Sequence, residues 1–316
     1  VRRPARVAFN AIPWFNIPRD PTDPASIDRW LLNEPGFRDD YPGVLAEIRD
    51  AGFENVMLEA LPHQTLQDYE RMLAAARLRP APGYAVARLP EDHGLTLRPG
   101  SPEWVRWFDG IRRKAEETNY FGLTTIFLAP ELVWAPHLAR TMRSAAVGAD
   151  FRADRLDRVT EVLAEAAGIL QQEGVRAGLH SHVGTWIETE AEIEHVLGAV
   201  DERMLGASFD VGHLAWAGID PAAMIARHSG RIVDLHLKDI DLAVAADSRA
   251  HPAPYAATME RGIVREPGLG RLDLAGILDA LPSSFDGWLI IEIDRPTMSP
   301  RDSARRSRQW AAETLS

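Results

Sequence analysis

Six ionisable side chains stand where short apolar runs end: Glu131, His180, His182, Asp210, His236 and Glu292. Imidazole nitrogen and carboxylate oxygen together suit Mn2+, Zn2+, Co2+ or Fe2+ rather than Ca2+, which prefers an all-oxygen shell. One such residue at a strand end is ordinarily structural. Several at successive strand ends read differently, because burying so many ionisable groups with nothing to bind them is costly. The expected cofactor is one divalent metal ion, Mn2+ first, with Zn2+, Co2+ and Fe2+ as alternatives. A metal bound to a ketone would polarise it, and Glu292, His180, His182 or His137 could then remove the neighbouring proton. Reprotonation elsewhere would give an isomerase or epimerase. Loss of a β-leaving group would give a lyase.

Other residues cluster around these. His213 follows Asp210 by three positions, and Lys238 shares strand parity with His236. Lys238 could hold a substrate oxygen or a developing oxyanion, with a plain salt bridge as the alternative. His137 follows Glu131 by six, within Trp134-Ala-Pro-His137, in a segment expected to overhang the metal. Trp14, Trp134, Trp186 and Trp216 each follow a strand end, where aromatic faces suit the C–H faces of a sugar or cyclitol, or an aromatic aglycone. Trp104, Trp107 and Trp310 fall in helix-period stretches and read as packing residues.

The elements that must position these groups alternate regularly. Strands are expected at Arg6–Ala11, Asn55–Glu59, Pro82–Ala87, Thr124–Ala129, Val175–His180, Leu205–Asp210, Ile232–Leu237 and Trp288–Ile293, with amphipathic stretches between them. The clearest helix carries Leu156, Val159, Leu163, Ala166 and Leu170 on one face and stops at Gly174. Thr189 with Glu192 reads as a capping box. Ser101-Pro102, Asp220-Pro221 and Ser299-Pro300 each place a capping side chain before a proline at the first helical position. Eight strand–helix units over 316 residues predict one (β/α)8 barrel spanning residues 1–316, with an open parallel sheet as the alternative. No glycine-rich phosphate loop follows the first strand. The long irregular stretches, 11–40, 131–150 and 241–270, all follow strands, which is the side of a barrel that carries chemistry.

A formal net charge of -11 argues against a nucleic-acid partner. The chain has no cysteine, which excludes disulfides and thiolate chemistry and fits a cytoplasmic protein. No apolar run approaches the ~18 residues of a membrane span. Val1-Arg2-Arg3-Pro4 opens no signal sequence, and the missing initiator Met suggests trimming.

The segments Ser208-Phe-Asp-Val-Gly-His213, Asp234-Leu-His-Leu-Lys-Asp239, Pro267-Gly-Leu-Gly270 and Trp288-Leu-Ile-Ile-Glu-Ile293 resemble the sugar phosphate isomerase/epimerase group of the xylose-isomerase-like TIM barrel superfamily. The resemblance implies one divalent metal held by Asp210, His236 and Glu292. It implies a Glu at the end of the fifth strand, where this chain has His180-Ser-His182. The run His180 to Thr185 is closer to the inositol-catabolic dehydratases of the same superfamily, which act on 2-keto-myo-inositol. Either His180 or Glu131 could complete the metal shell, and His182 and His213 would face the substrate. The large subunit of bacterial C-glycoside deglycosidases, which pairs with a small β-rich subunit, is a second resemblance. An endonuclease-IV-like DNA repair enzyme shares this barrel but would need three metals and a basic face. The expected partner is a small polyol or sugar, with a homo-oligomer, a non-catalytic binding barrel and the small β-rich subunit as further possibilities.

Overall fold

The computed structural model describes residues 6–17 and 29–315. The opening Val1–Pro4 stretch and part of the first long loop lie outside those residues. Eight parallel strands form the centre: β1 (Arg6–Phe9), β2 (Asn55–Met57), β3 (in two pieces, Arg79–Ala81 and Tyr84–Ala87), β4 (Thr125–Pro130), β5 (Arg176–Leu179), β6 (Leu205–Ala207), β7 (Leu235–Leu237) and β8 (Trp288–Ile291). Each pairs with its sequence neighbours, and β8 returns to β1 with Arg6 opposite Trp288 and Phe9 opposite Ile291. The seam between β6 and β7 closes through two parallel bridges, Ala207 to Ile232 and Asp210 to His236. The barrel is therefore complete, and the second bridge joins two candidate ligands across it.

The third strand departs from its expected start at Pro82. Its first piece pairs with β2 and its second with β4. Pro82 has no N–H to give at the handover. A Cβ on Gly83 would lie 2.7 Å from the Leu58 carbonyl oxygen, so only glycine lets the chain pass there.

Side-chain parity divides the strands. Ala8, Met57, Ala81, Phe127 and Ile290 form a small interior cluster, against which Tyr84 and Trp288 pack. Phe9, Val56, Leu128 and Ile291 face outward into the larger layer between strands and helices. That layer takes Leu156, Val159, Leu163, Ala166 and Leu170 from helix α1 (Ala153–Gln172), and Gly174 follows at φ 77°. Helix starts match their sequence signals. Ser101 accepts from the Trp104 N–H, Asp220 from those of Ala222 and Ala223, and Ser299 from that of Asp302. Glu192 closes its turn by accepting from the Thr189 N–H at 3.0 Å. No helix among the described residues is long and apolar enough to cross a membrane.

Candidate metal centre

Strand parity carries the chemistry inward. His236 is in register with Ile290, an interior residue, and Glu292 lies two residues further along β8's path. Asp210 faces His236 across the seam, and His180 continues β5. His180, Asp210 and His236 each offer an atom within 4.8 Å of the others, and all three are buried. The Phe127 ring lies 3.9 Å from that of His236, and Tyr84 meets His180 edge-on at 5.2 Å, so aromatic rings line the base of the site.

Glu292 borders this group. Its Oε2 accepts from Asn10 Nδ2 at 2.5 Å and lies 3.0 Å from His236 Nδ1, while its Oε1 accepts from Lys238 Nζ at 2.9 Å. Asp210 spends Oδ1 on the Gly212 and His213 backbone N–H groups, leaving Oδ2 toward the site. Lys238 Nζ is surrounded: Asp294 Oδ2 at 2.6 Å, Glu292 Oε1 at 2.9 Å, Asp210 Oδ2 at 3.1 Å and His213 Nε2 at 3.1 Å.

Burial opposes charge on Glu292, but the charges of His236 and Lys238 outweigh it and hold the carboxyl well below its ordinary range. Burial, then His236, keeps His180 well below the usual imidazole value, so it presents neutral nitrogen. His182 falls to about 3 through burial and then the Lys238 charge. Burial raises Asp294 to about 6 against the pull of Lys238.

The residues fit a divalent ion. His180 Nδ1, Asp210 Oδ2 and both nitrogens of His236 are buried without a well-directed hydrogen bond among the described residues. Each of the three residues could offer one such atom, and imidazole nitrogen with carboxylate oxygen is a donor set that a divalent transition metal could use.

Other candidates fall at varied distances from this group. His182 packs against His213 with ring centroids 3.7 Å apart and the planes tilted by 41°, and stacks on Tyr255 at 5.8 Å. Glu131 is not part of the buried trio. It pairs with His93 at 2.6 Å and Arg88 at 3.2 Å, beside a small cavity lined by Leu89, Asp92 and Trp186. His137 sits exposed in a turn. Trp14 is half-buried and donates to Glu47, and Trp186 is buried, donating to Asp92. Trp216 is also buried and donates to Ser248. Trp134 is 47% exposed, with its ring edge toward Tyr255 at 5.8 Å.

Three residues that sequence reasoning passed over join the site: Asn10, Asp294 and Tyr255. Asn10 and Asp294 share parity with Ala8 and Glu292, a signal that was there to read. Tyr255 comes from a helix, Tyr255–Glu260, inside the long stretch after β7, and only folding brings it to His182, Trp216 and Trp134.

The family described as xylose isomerase-like TIM barrel matches residues 45–314. Among curated proteins, an inosose dehydratase of Geobacillus thermodenitrificans is 29% identical over 168 residues, 52% of this chain and 54% of that protein. The rhizopine catabolism protein MocC of Rhizobium meliloti is 34% identical over 134 residues, 42% of this chain and 41% of that protein. The chain spans about half the length of the curated relatives it matches. Among solved structures, a D-allulose 3-epimerase from Methylomonas sp. aligns with a TM-score of 0.66 at 13% identity, covering 99% of this chain and 98% of that one. The IOLI protein with a bound zinc atom aligns with a TM-score of 0.62 at 15% identity, covering 98% of each. These structural likenesses bear on the fold.

Proposed function

The chain belongs to the xylose isomerase-like TIM barrel family, and on that premise we propose that it is a metal-dependent enzyme removing the proton beside the carbonyl of a keto-inositol or keto-sugar. The product depends on the fate of the resulting carbanion, which either expels water or takes a proton back. The names of the curated relatives favour dehydration. The observation that carries the reading is the buried His180, Asp210 and His236 trio, whose ligand atoms lie within 4.8 Å of one another.

His180, Asp210, His236 and Glu292 would hold the ion, with Mn2+ proposed ahead of Zn2+, Co2+ and Fe2+. Bound there, a divalent ion polarises a carbonyl and stabilises the charge that develops on its oxygen. The chain's own residues supply the rest. Asn10 and Lys238 fix Glu292 in one orientation. His182 Nδ1 lies 2.7 Å from the Val183 carbonyl oxygen. A carbonyl oxygen only accepts, so Nδ1 carries the proton and Nε2 is left with a lone pair to take one. His182, His213, Trp216, Tyr255 and Trp134 form an aromatic wall that suits the C–H faces of a ring. The exposure of Trp134 on that wall favours a second reading, loss of an aromatic aglycone from a keto-C-glycoside, with a small β-rich subunit as partner.

Elemental analysis of protein purified without chelator tests the centre. About one transition-metal equivalent per chain is expected, falling sharply in Asp210→Asn and Glu292→Gln. Full retention in both variants would overturn the assignment.

A further inference from the structure

The Lys238 ammonium has three N–H donors and four acceptors within reach: Asp294 Oδ2, Glu292 Oε1, Asp210 Oδ2 and His213 Nε2. All four cannot be served at once. Asp210 has only one oxygen to give, because Oδ1 already accepts two backbone N–H groups. That one oxygen is Oδ2, the atom Lys238 touches. Glu292 is similarly committed, with Oε1 on Lys238 and Oε2 on Asn10.

We propose that Lys238 is a resident cation that competes with the metal for Asp210 Oδ2 and Glu292 Oε1, and that Asp294 is the counter-anchor that draws it away when the metal arrives. The inference rests on the reading of this centre as a metal site. The charges support it. Asp210, Glu292 and Asp294 crowd around the single ammonium of Lys238, an excess of carboxylate that a divalent ion would help to balance. Without Lys238 the three carboxylates would face one another across a few ångströms of low-dielectric interior, where like charges repel strongly. Lys238 thus keeps the metal-free site folded and weakens its grip on the ion. Asp294 makes the shortest of the four contacts with Lys238 Nζ, at 2.6 Å. Its position is explained by this anchoring.

The two residues make opposite predictions, which a merely structural role would not. The full chain is stripped of metal and titrated with Zn2+ against a chromophoric chelator, with folding followed by circular dichroism. Lys238→Met should bind Zn2+ more tightly than wild type, by on the order of tenfold, the scale on which groups around a metal shell tune affinity. Asp294→Asn should bind it more weakly by a similar factor, since Lys238 is then left to Asp210 and Glu292. Folded Lys238→Met that binds Zn2+ no more tightly than wild type would overturn the proposal. Should that variant not fold, Asp294→Asn decides alone, and affinity equal to or above wild type overturns it. Wild-type protein that binds no Zn2+ at all would instead remove the metal-site reading itself.

Discussion

The two histidines offered for proton transfer have contrasting surroundings. His137 is exposed in a turn. His182 packs between His213 and Tyr255 with its tautomer fixed by the Val183 carbonyl. A base must reach the reacting proton directly or through one water, so position favours His182, although burial and the Lys238 charge weaken it as a base. His182→Ala should lower turnover of a keto-inositol by on the order of 10²-fold or more while retaining its metal. His137→Ala should stay within a few-fold of wild type. The reverse ranking in steady-state kinetics would return the proton step to the loop.

Motifs that look like strings of chemistry in sequence divide, in the elements, between ligands and the joints that hold them. In the run from Asp210 to His213, the glycine is a joint. A Cβ on Gly212 would meet Lys238 Cβ, Cγ and carbonyl oxygen, each at 2.8 Å, so the short helix Val211–Trp216 can lie on β7 only if this residue is glycine. Gly212→Ala should cost about 1–3 kcal/mol of stability, as overpacking does, and weaken metal binding by displacing Asp210 and Lys238 together. Thermal melts with and without Zn2+ measure both; an unchanged melting temperature would contradict the close approach. Asp239 is another joint. Its two oxygens accept the N–H groups of Gly268, Gly270, Leu272 and Ile240, which ties the Pro267–Gly270 loop to the end of β7. Glu188 does the same for the loop after β4, taking the N–H groups of Ala146, Gly148 and Gly184.

Over the whole molecule, the excess of acidic residues sets the partners it can meet. A net charge of -11 opposes the approach of a run of phosphates, and Arg305 stands 3.7 Å from Asp302 in the last helix. Fluorescence anisotropy with duplex DNA at physiological salt should show no binding tighter than roughly micromolar, the non-specific range. Tighter binding would revive a DNA-processing reading of the barrel. Closure of the barrel also brings Asp210 and His236 together, because the β6–β7 seam pairs them directly.

The amino-acid sequence by itself determined the alternation of strands and helices, the caps at Ser101, Asp220 and Ser299, and the inward parity of His180, Asp210, His236 and Glu292. These are local properties: a period of two along a strand and a side chain one turn from an orphan amide need no distant partner. The broken third strand followed from Pro82 and from Leu58, a residue some two dozen positions away, so only half of its cause was local. Glu131 shows where parity runs out. It continues the alternation of Phe127, yet past Pro130 the chain leaves the strand and its carboxylate goes to Arg88 and His93. The commitment of Lys238 to three carboxylates, the grip of Asn10 on Glu292, and the arrival of Tyr255 over His182 were decided by tertiary structure alone. Each depends on which of several polar groups lies within about 3 Å, and that is settled only when the barrel closes and its loops fold back across the mouth.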